Sequence, residues 1–289
     1  MVEWYYLILI SSVLNGLATL VEKNALKTHY ATEFSATVSP FVALISLLFI
    51  PLANFNISVW QLLLITAWSA INAYSYLLAA RAFRHGELSA SSAAFGSLPT
   101  LVVVVLAFLF LSEQLSLVQY IGIAGMIMAT YMLFFREPKR PDGKQAFESS
   151  KYKYVVLLAV FVSGTASVFN KYAIGGVNPY TFFIISSISM ALFFAVFISI
   201  RYRGVREIVQ TARTYRLPIS LASVLTSGYR LAFYLALVLV PVSLAQPLGN
   251  AFYVIITVAI GGLIFKEGNL RRKLALSAFL IFFAYLLTL

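Results

Sequence analysis

The stretch FLFLSEQLSL, residues 108–117, has the same form as LIFKEGNLR, residues 263–271. In each stretch a long apolar run stops at a glutamate, which is Glu113 in the first and Glu267, 154 positions later, in the second. Aspartate and glutamate together number only 10 in 289 residues, so a pair at matching places asks for a structural reason. Self-similarity at a fixed offset indicates internal duplication.

Further segments repeat along the chain. NGLATLVEKNAL (15–26) aligns with SGTASVFNKYAI (163–174) at an offset of 148. LSASSAAFGS (88–97) aligns with VSLAQPLGNA (242–251) at the offset of 154 that also relates the two glutamates. The difference of six residues fits a longer loop around 201–216. The chain is therefore predicted to hold two copies of one unit.

The composition indicates a membrane protein. Hydrophobic residues make up 61% of the chain and charged residues 11%, with a mean hydropathy of +0.89. Runs of about 20 apolar residues recur, the length that a helix needs to cross the hydrocarbon core. They are too long and too uniformly apolar for barrel strands. The predicted spans are 3–22, 33–53, 60–80, 89–111, 117–135, 152–170, 180–200, 217–239, 243–265 and 272–289.

Ten spans and one duplication determine the predicted fold class, an all-α integral membrane protein. Each copy holds five spans, and an odd number places the second copy upside down in the membrane. We therefore expect ten transmembrane helices in two inverted-topology five-helix repeats. The first repeat covers 1–136, a linker loop covers 137–151, and the second repeat covers 152–289. Since there are no cysteines, disulfides and thiolate metal sites are excluded.

The net charge of +11 is placed in short loops, which favours an orientation signal over a nucleic-acid surface. Loops counted as odd from the N-terminus hold 19 of the 21 basic residues. The positive-inside rule then puts these loops in the cytoplasm and both termini outside. We expect a multi-pass protein of the plasma (inner) membrane.

Spans 4 and 9 resemble a known family. Each has a small, Ser/Ala/Pro-rich start, an apolar middle and a terminal glutamate, as in ELSASSAAFGSLPTLVVVVLAFLFLSEQLS and VPVSLAQPLGNAFYVIITVAIGGLIFKEG. With five-plus-five spans, the chain resembles the EamA-type exporters of the drug/metabolite transporter superfamily. The resemblance implies a central cavity lined by spans 1, 3 and 4 with 6, 8 and 9. It also implies cytoplasmic termini, which contradicts the charge count.

Arg230 is the sharpest signal for a binding site. It lies near the middle of span 8, where a charge is costly and marks a functional site by default. No span holds an aspartate, and the glutamates fall near span ends. We expect Arg230 to bind a substrate carboxylate or another anion, because guanidinium grips carboxylates in bidentate fashion. The alternative is a structural arginine that bonds to helix carbonyls or reaches Glu22.

Other polar residues deep in the spans complete the predicted cavity. Gln246 and Asn250 lie four apart and hence on one helix face. Helix-to-helix hydrogen bonding or close packing is the alternative for these amides and for the small residues. For the tyrosines, of which Tyr74 is a further candidate, the alternative is core packing. The remaining candidates are Asn72, Tyr76, Tyr229, Tyr234, Tyr253, Ser91 and Ser92.

Symmetry-related residues at the ends and crossing points of spans 1 and 6 are predicted to form gates or hinges. Asn15 and Gly16 correspond to Ser163 and Gly164, and Glu22 and Lys23 correspond to Asn170 and Lys171. Anchoring of the lysines at the interface by snorkelling is the alternative. Glu113 and Glu267 are expected to end their spans and to bond the exposed N–H groups of the next helix, not to bind substrate.

The sequence thus predicts a secondary transporter, an exporter, of small polar metabolites such as amino acids or organic anions. Its mechanism would be alternating access between the two repeats. A channel-like pore or exchanger is the alternative, and an integral membrane enzyme is a weaker one, because no catalytic constellation occurs. We expect no cofactor or metal and no nucleic-acid partner. A monomer and a homodimer are both compatible with the sequence.

Overall fold

The computed structural model describes residues 3–26, 31–85, 88–135, 150–201, 205–265, 270–287 and 289. Its described part is helical, with a short 3-10 segment, Leu47–Leu52, after the second helix. The helices are α1 Trp4–Ala25, α2 Ala31–Ser46, α3 Val59–His85, α4 Leu88–Leu111, α5 Leu117–Phe135, α6 Ser150–Ile174, α7 Pro179–Arg201, α8 Val205–Thr214, α9 Arg216–Leu239, α10 Val242–Leu263 and α11 Leu270–Leu286.

Each predicted span coincides with one helix, except that span 2 is formed by α2 and its 3-10 extension; predicted spans 8, 9 and 10 are α9, α10 and α11. By length and composition, seven helices of the described part are able to cross a membrane. They are α1, α2 together with its 3-10 extension, α3, α6, α7, α9 and α10. Two shorter apolar segments, Pro99–Leu111 and Leu117–Ala129, lie in α4 and α5. The protein is a multi-pass helical membrane protein.

Helix α8 is the element that the sequence reasoning treated as part of a loop. Its ten residues, VREIVQTART, are polar on average, so no apolar run marks them. The helix is amphipathic, however, and Ile208 and Thr211 are buried, three residues apart on one face. This face packs against α2, α7 and α9, while Arg206 and Arg213 are exposed.

The packing of the helices follows the duplication. α1 packs on α9 and α10, and its repeat mate α6 packs in the same way on α3 and α4, the mates of those two helices. α2 on α9 likewise corresponds to α7 on α3. Three mated pairs also contact each other directly, namely α2 with α7, α4 with α10, and α5 with α11. Exchanging each helix for its mate therefore reproduces the arrangement.

Two of these mated pairs run antiparallel. The C-terminal end of α4 contacts the first turn of α10, where Glu113 binds the backbone of Val242. The first turn of α5 contacts the end of α11, where Gln119 Nε2 donates to the carbonyl oxygen of Leu287 at 3.4 Å. Further along α5, Gly125 packs against the ring of Phe283. Corresponding helices of the two repeats thus point in opposite directions at both contacts.

Candidate functional site: a central polar cavity

A cavity of about 240 Å³ lies between the two repeats. Its described walls come from α1, α3, α6, α9 and α10, with one residue, Met190, from α7. The expected contribution of span 4 falls outside this set, because the side chains of Ser91 and Ser92 in the first half of α4 are not among the described residues. The predicted site residues that line the cavity are Arg230, Gln246, Asn250, Asn72, Tyr76, Tyr229, Tyr234 and Tyr253.

Arg230 is held in the cavity wall by the contact between α1 and α9. Ser11 Oγ donates to the carbonyl oxygen of Tyr229 at 2.9 Å and so fixes the backbone next to the arginine. The guanidinium donates from Nη1 to Met190 Sδ at 3.1 Å and lies 5.8 Å from the centre of the Tyr76 ring. Thioether sulfur is a weak acceptor and the ring contact is a cation–π interaction. Among the described residues, Arg230 makes no ion pair.

Glu22 lines the same cavity. Its side chain belongs to α1, one turn before the end of that helix, and only 6% of the residue is exposed. Its Oε1 atom is buried and accepts no hydrogen bond from the described residues. A buried acceptor without a partner costs about 1–3 kcal/mol, and more when it is charged. The predicted gate residue is therefore placed in the wall of the cavity together with Arg230.

Amides on α3 and α6 form one polar edge of the cavity. Asn72 Nδ2 lies 3.4 Å from Asn170 Oδ1 and also donates to the carbonyl oxygen of Trp68 at 3.3 Å. The indole of Trp68 donates to the carbonyl oxygen of Ala166 at 3.3 Å and stacks on Phe169, with ring centres 3.9 Å apart. These contacts bind the third helix of the first repeat to the first helix of the second. Asn170 is 7% exposed and lines the cavity, as Glu22 does.

Gln246 and Asn250 form a hydrogen-bonded series across α10. Gln246 Nε2 donates to Asn250 Oδ1 at 3.0 Å, and Asn250 Nδ2 donates to Thr100 Oγ1 of α4 at 3.4 Å. Asn250 therefore has both ends of its amide occupied. Gln246 Oε1 is buried and has no hydrogen-bond partner among the described residues. It is a free acceptor on the cavity wall.

The tyrosines divide into cavity and surface residues. Tyr234 is 7% exposed and packs edge-on against Phe182 of α7, with centroids 4.9 Å apart. Tyr253 is 6% exposed, and its hydroxyl lies 3.2 Å from Thr19 Oγ1. Tyr74, by contrast, is 39% exposed and does not line the cavity, so the structure does not place it in an aromatic wall with the others.

The symmetry-related glycines of α1 and α6 lie where these helices cross α10 and α4. A Cβ atom on Gly16 would lie 2.6 Å from Ile256 Cγ2. A Cβ atom on Gly164 would lie 2.7 Å from Val102 Cβ and 2.8 Å from the carbonyl oxygen of Pro99. Both helices therefore approach their neighbours to a distance that only glycine permits. Asn15, one residue before Gly16, lines the cavity.

Lys171 is separated from the cavity and lies at the end of α9. Its Nζ donates to the carbonyl oxygens of Leu237 and Val240 at 2.6 and 3.0 Å. Leu237 lies in the last turn of α9 and Val240 directly follows the helix, where carbonyls lack partners within the helix. The lysine therefore caps α9 at the end that favours positive charge. Lys23, its mate in the first repeat, lies partly buried in the last turn of α1.

Glu113 caps α10. The sequence-based prediction that it would bond the next helix, α5, is therefore wrong. Its Oε1 accepts from the N–H of Val242 at 3.0 Å, and its Oε2 accepts from the N–H and the hydroxyl of Ser243. Ser112, directly after the end of α4, has a φ of 54°, a left-handed backbone conformation. Glu267, the equivalent position of the second repeat, lies outside the described residues.

Sequence reasoning missed several small polar residues of the cavity. Ser11 and Thr19 line it together with the predicted Asn15 and Glu22, and all four lie on one face of α1 at intervals of three or four residues. The same spacing relates Ser163, Ser167 and Asn170 on α6. This periodicity is readable in the sequence. Met190 could not have been found in that way, since nothing distinguishes it from the other apolar residues of α7.

The fold and the cavity define a class: a helical membrane protein that encloses a polar chamber between two like halves, the architecture of solute transporters. The chain belongs to the EamA-like transporter family, whose model matches residues 2–135 and again residues 151–289. The match occurs once in each repeat and covers most of the chain.

Comparison with solved structures gives the same fold. A crystal structure of a protein matches with a TM-score of 0.61 over 97% of this chain and 96% of that chain, at 12% sequence identity. In all, 27 chains of solved structures match this chain significantly. At this identity the likeness concerns the fold alone. No curated protein sequence matches this chain.

Proposed function

We propose that this protein is a secondary carrier that exports small polar metabolites such as amino acids or organic anions across the plasma membrane. One observation carries the proposal: the guanidinium of Arg230 lies in a polar cavity without an ion-pair partner among the described residues. A charge at this depth in a membrane protein is unfavourable unless a counter-ion or hydrogen bonds offset its desolvation. An anionic group on the substrate supplies that counter-ion.

The proposed architecture is ten transmembrane helices in two inverted repeats. The antiparallel contacts of α4 with α10 and of α5 with α11 support it, because an inverted copy reverses the direction of each helix. The location of the cavity between the repeats supports alternating access, in which one repeat rocks against the other around a central site. The cavity walls would then open to one face of the membrane at a time.

The class of transporter is tested by counterflow in liposomes that contain the purified protein. Vesicles loaded with an unlabelled amino acid or organic acid are diluted into a trace of the same labelled compound. A carrier accumulates the label transiently and saturates with concentration. A pore equilibrates the label without overshoot, and this result would replace the carrier by the channel-like alternative. No movement of any compound of the panel would contradict the proposed function.

Arg230→Gln and Arg216→Gln form a matched pair for the binding role of Arg230. Both arginines lie on α9, but Arg216 is exposed at the start of the helix and does not line the cavity. A charge-assisted hydrogen bond of about 1.5–3 kcal/mol corresponds to roughly a 10- to 150-fold change in affinity. Arg230→Gln should raise the apparent KM for anionic substrates by this factor, whereas Arg216→Gln should leave it unchanged. Equal apparent KM values for the two variants would show that Arg230 does not bind the substrate.

A further inference from the structure

Glu22 is the one described carboxylate in the cavity, and binding of an anion by Arg230 gives it no role. It is 6% exposed, and its Oε1 accepts no hydrogen bond from the described residues although it is buried. A glutamate that served only to anchor the end of α1 would be expected to reach water or a donor. Its position instead leaves a buried hydrogen-bond acceptor without a partner in a residue that lines the cavity.

The cavity therefore carries two opposite poles. Arg230 is supplied by α9 and Glu22 by α1, helices that pack against each other, and neither is neutralised by an ion pair to the other. The ring of Tyr76 lies against the guanidinium, and the amides of Asn72 and Asn170 lie in the same wall. Arg230 and Glu22 thus line one chamber without pairing to each other, and each keeps hydrogen-bonding capacity that a solute is able to use.

We propose that Glu22 binds the ammonium group of a zwitterionic substrate, an amino acid, while Arg230 binds its carboxylate. The inference rests on the proposed function and narrows its substrate class from small polar metabolites to compounds that carry both charges. An ammonium group presents three donors to the acceptor that Glu22 leaves free. Gln246, whose Oε1 is also buried and unpartnered, is a second acceptor for polar hydrogens of the same substrate. Organic anions lacking an amine would leave Glu22 without a partner and should bind more weakly.

The unmodified protein in liposomes provides the first test. Competition against a transported amino acid is measured with three matched sets of probes: L-alanine, L-leucine and L-phenylalanine; their des-amino acids propionate, 4-methylpentanoate and 3-phenylpropionate; and the amines ethylamine, isoamylamine and phenethylamine. Unbranched amino acids from β-alanine to 6-aminohexanoate then measure the separation of the two poles. The best amino acid should compete at least 10-fold better than its des-amino acid and its amine. Equal competition by the des-amino acid would overturn the inference and leave the anion carrier standing.

Glu22→Gln provides the second test, with Glu3→Gln as the matched control. Glu3 precedes α1 at its other end and is exposed, and it does not line the cavity. Glu22→Gln keeps the size of the side chain and removes its charge. It should raise the apparent KM for the amino acid at least 10-fold while transport of the des-amino acid stays equal or improves. Glu3→Gln should change neither value.

The outcomes separate this inference from the proposed function. If Glu22→Gln lowers transport of the amino acid and of its des-amino acid by the same factor, the carboxylate has another task, such as proton coupling, and the ammonium role is wrong. The ammonium role is also wrong if the ratio of the apparent KM values for the amino acid and its des-amino acid is unchanged from wild type. If the unmodified protein transports no member of the probe sets, both the carrier and its zwitterionic substrate are contradicted.

Discussion

The carboxylate of Glu113 joins the end of α4 to the start of α10 by accepting from the N–H and the hydroxyl of Ser243. It also accepts from the N–H of Val242, so two of the orphan donors of the first turn of α10 are satisfied by a residue from the other repeat. Negative charge at a helix N-terminus is further favoured by the helix dipole. Glu113 is therefore a capping residue that acts between the halves of the molecule.

Replacing Glu113 by alanine should destabilise the protein by about 1–2 kcal/mol, the usual cost of a lost N-cap. The expected fall in melting temperature is roughly 2–4 °C per kcal/mol. Thermal unfolding of the detergent-solubilised protein measures the shift. Glu3→Ala is the matched control, since Glu3 precedes α1 and makes no side-chain capping hydrogen bond. Equal melting temperatures for the two variants would show that the contact with α10 contributes nothing.

Lys171 and Glu113 hold the same turn from two sides and should act together. Lys171 binds the last carbonyls of α9 while Glu113 binds the first N–H groups of α10, and both line one cleft beside Pro241. Residues that share a structural element are energetically coupled by about 0.5–3 kcal/mol. In a double-mutant cycle, Glu113→Ala and Lys171→Ala should therefore be non-additive in melting temperature. Additive effects would mean that the two caps act independently. Tyr172→Phe, at the exposed neighbour of Lys171, is the control.

Gly164→Ala should destabilise the crossing of α6 and α4. The added methyl group would meet the backbone oxygen of Pro99, which cannot move without distorting α4. Overpacking of this kind costs about 1–3 kcal/mol. Gly175→Ala is the control on the same segment, because its Cβ atom would find only ordinary contacts at 3.4 and 3.6 Å. Similar unfolding temperatures for Gly164→Ala and Gly175→Ala would contradict the proposed close crossing.

Gln246→Ala should weaken substrate affinity, and its effect on folding should be limited to the loss of the hydrogen bond to Asn250 Oδ1. Gln246 has a free acceptor on the cavity wall, and the loss of one net hydrogen bond of about 0.5–1.5 kcal/mol corresponds to a roughly 2- to 12-fold higher apparent KM. Asn250→Ala should lower the melting temperature further, because it removes both the bond to Gln246 and the contact with Thr100 of α4. Transport kinetics and thermal unfolding are measured for both variants. Gln210→Ala, on the exposed face of α8, is the control. An unchanged KM in Gln246→Ala would place that amide outside the site.

Single cysteines should report the orientation of the loops, since the chain has no cysteine of its own. Asn56, Ser116 and Gln210 are exposed and lie in the second, fourth and seventh loops. With ten spans and the odd loops in the cytoplasm, a membrane-impermeant maleimide should label Asn56→Cys and Ser116→Cys in intact cells. Gln210→Cys should be labelled only after permeabilisation. The reverse pattern would support cytoplasmic termini, and labelling of all three sites from one side would contradict the ten-span arrangement.

The positions of the helices were predictable because spans are long apolar runs. The end of α4 at Leu111 and the start of α5 at Leu117 agree with the sequence to the residue, since a polar interruption separates the two helices. Helix α8 was missed because its apolar residues form one narrow face within a polar segment. The partner of Glu113 was also missed, because proximity along the chain favours α5 and only the packing of the repeats brings α10 closer.

The sequence by itself determined the membrane class, the duplication and part of the polar lining of the cavity, because charge and apolar periodicity are local properties of the chain. The tertiary structure decided how those residues are combined. Glu22 lies in the same chamber as Arg230, Asn72 pairs with Asn170, and Lys171 binds the end of α9. These relationships join residues far apart in the chain, so they depend on which helix faces meet, and helix packing alone determines that.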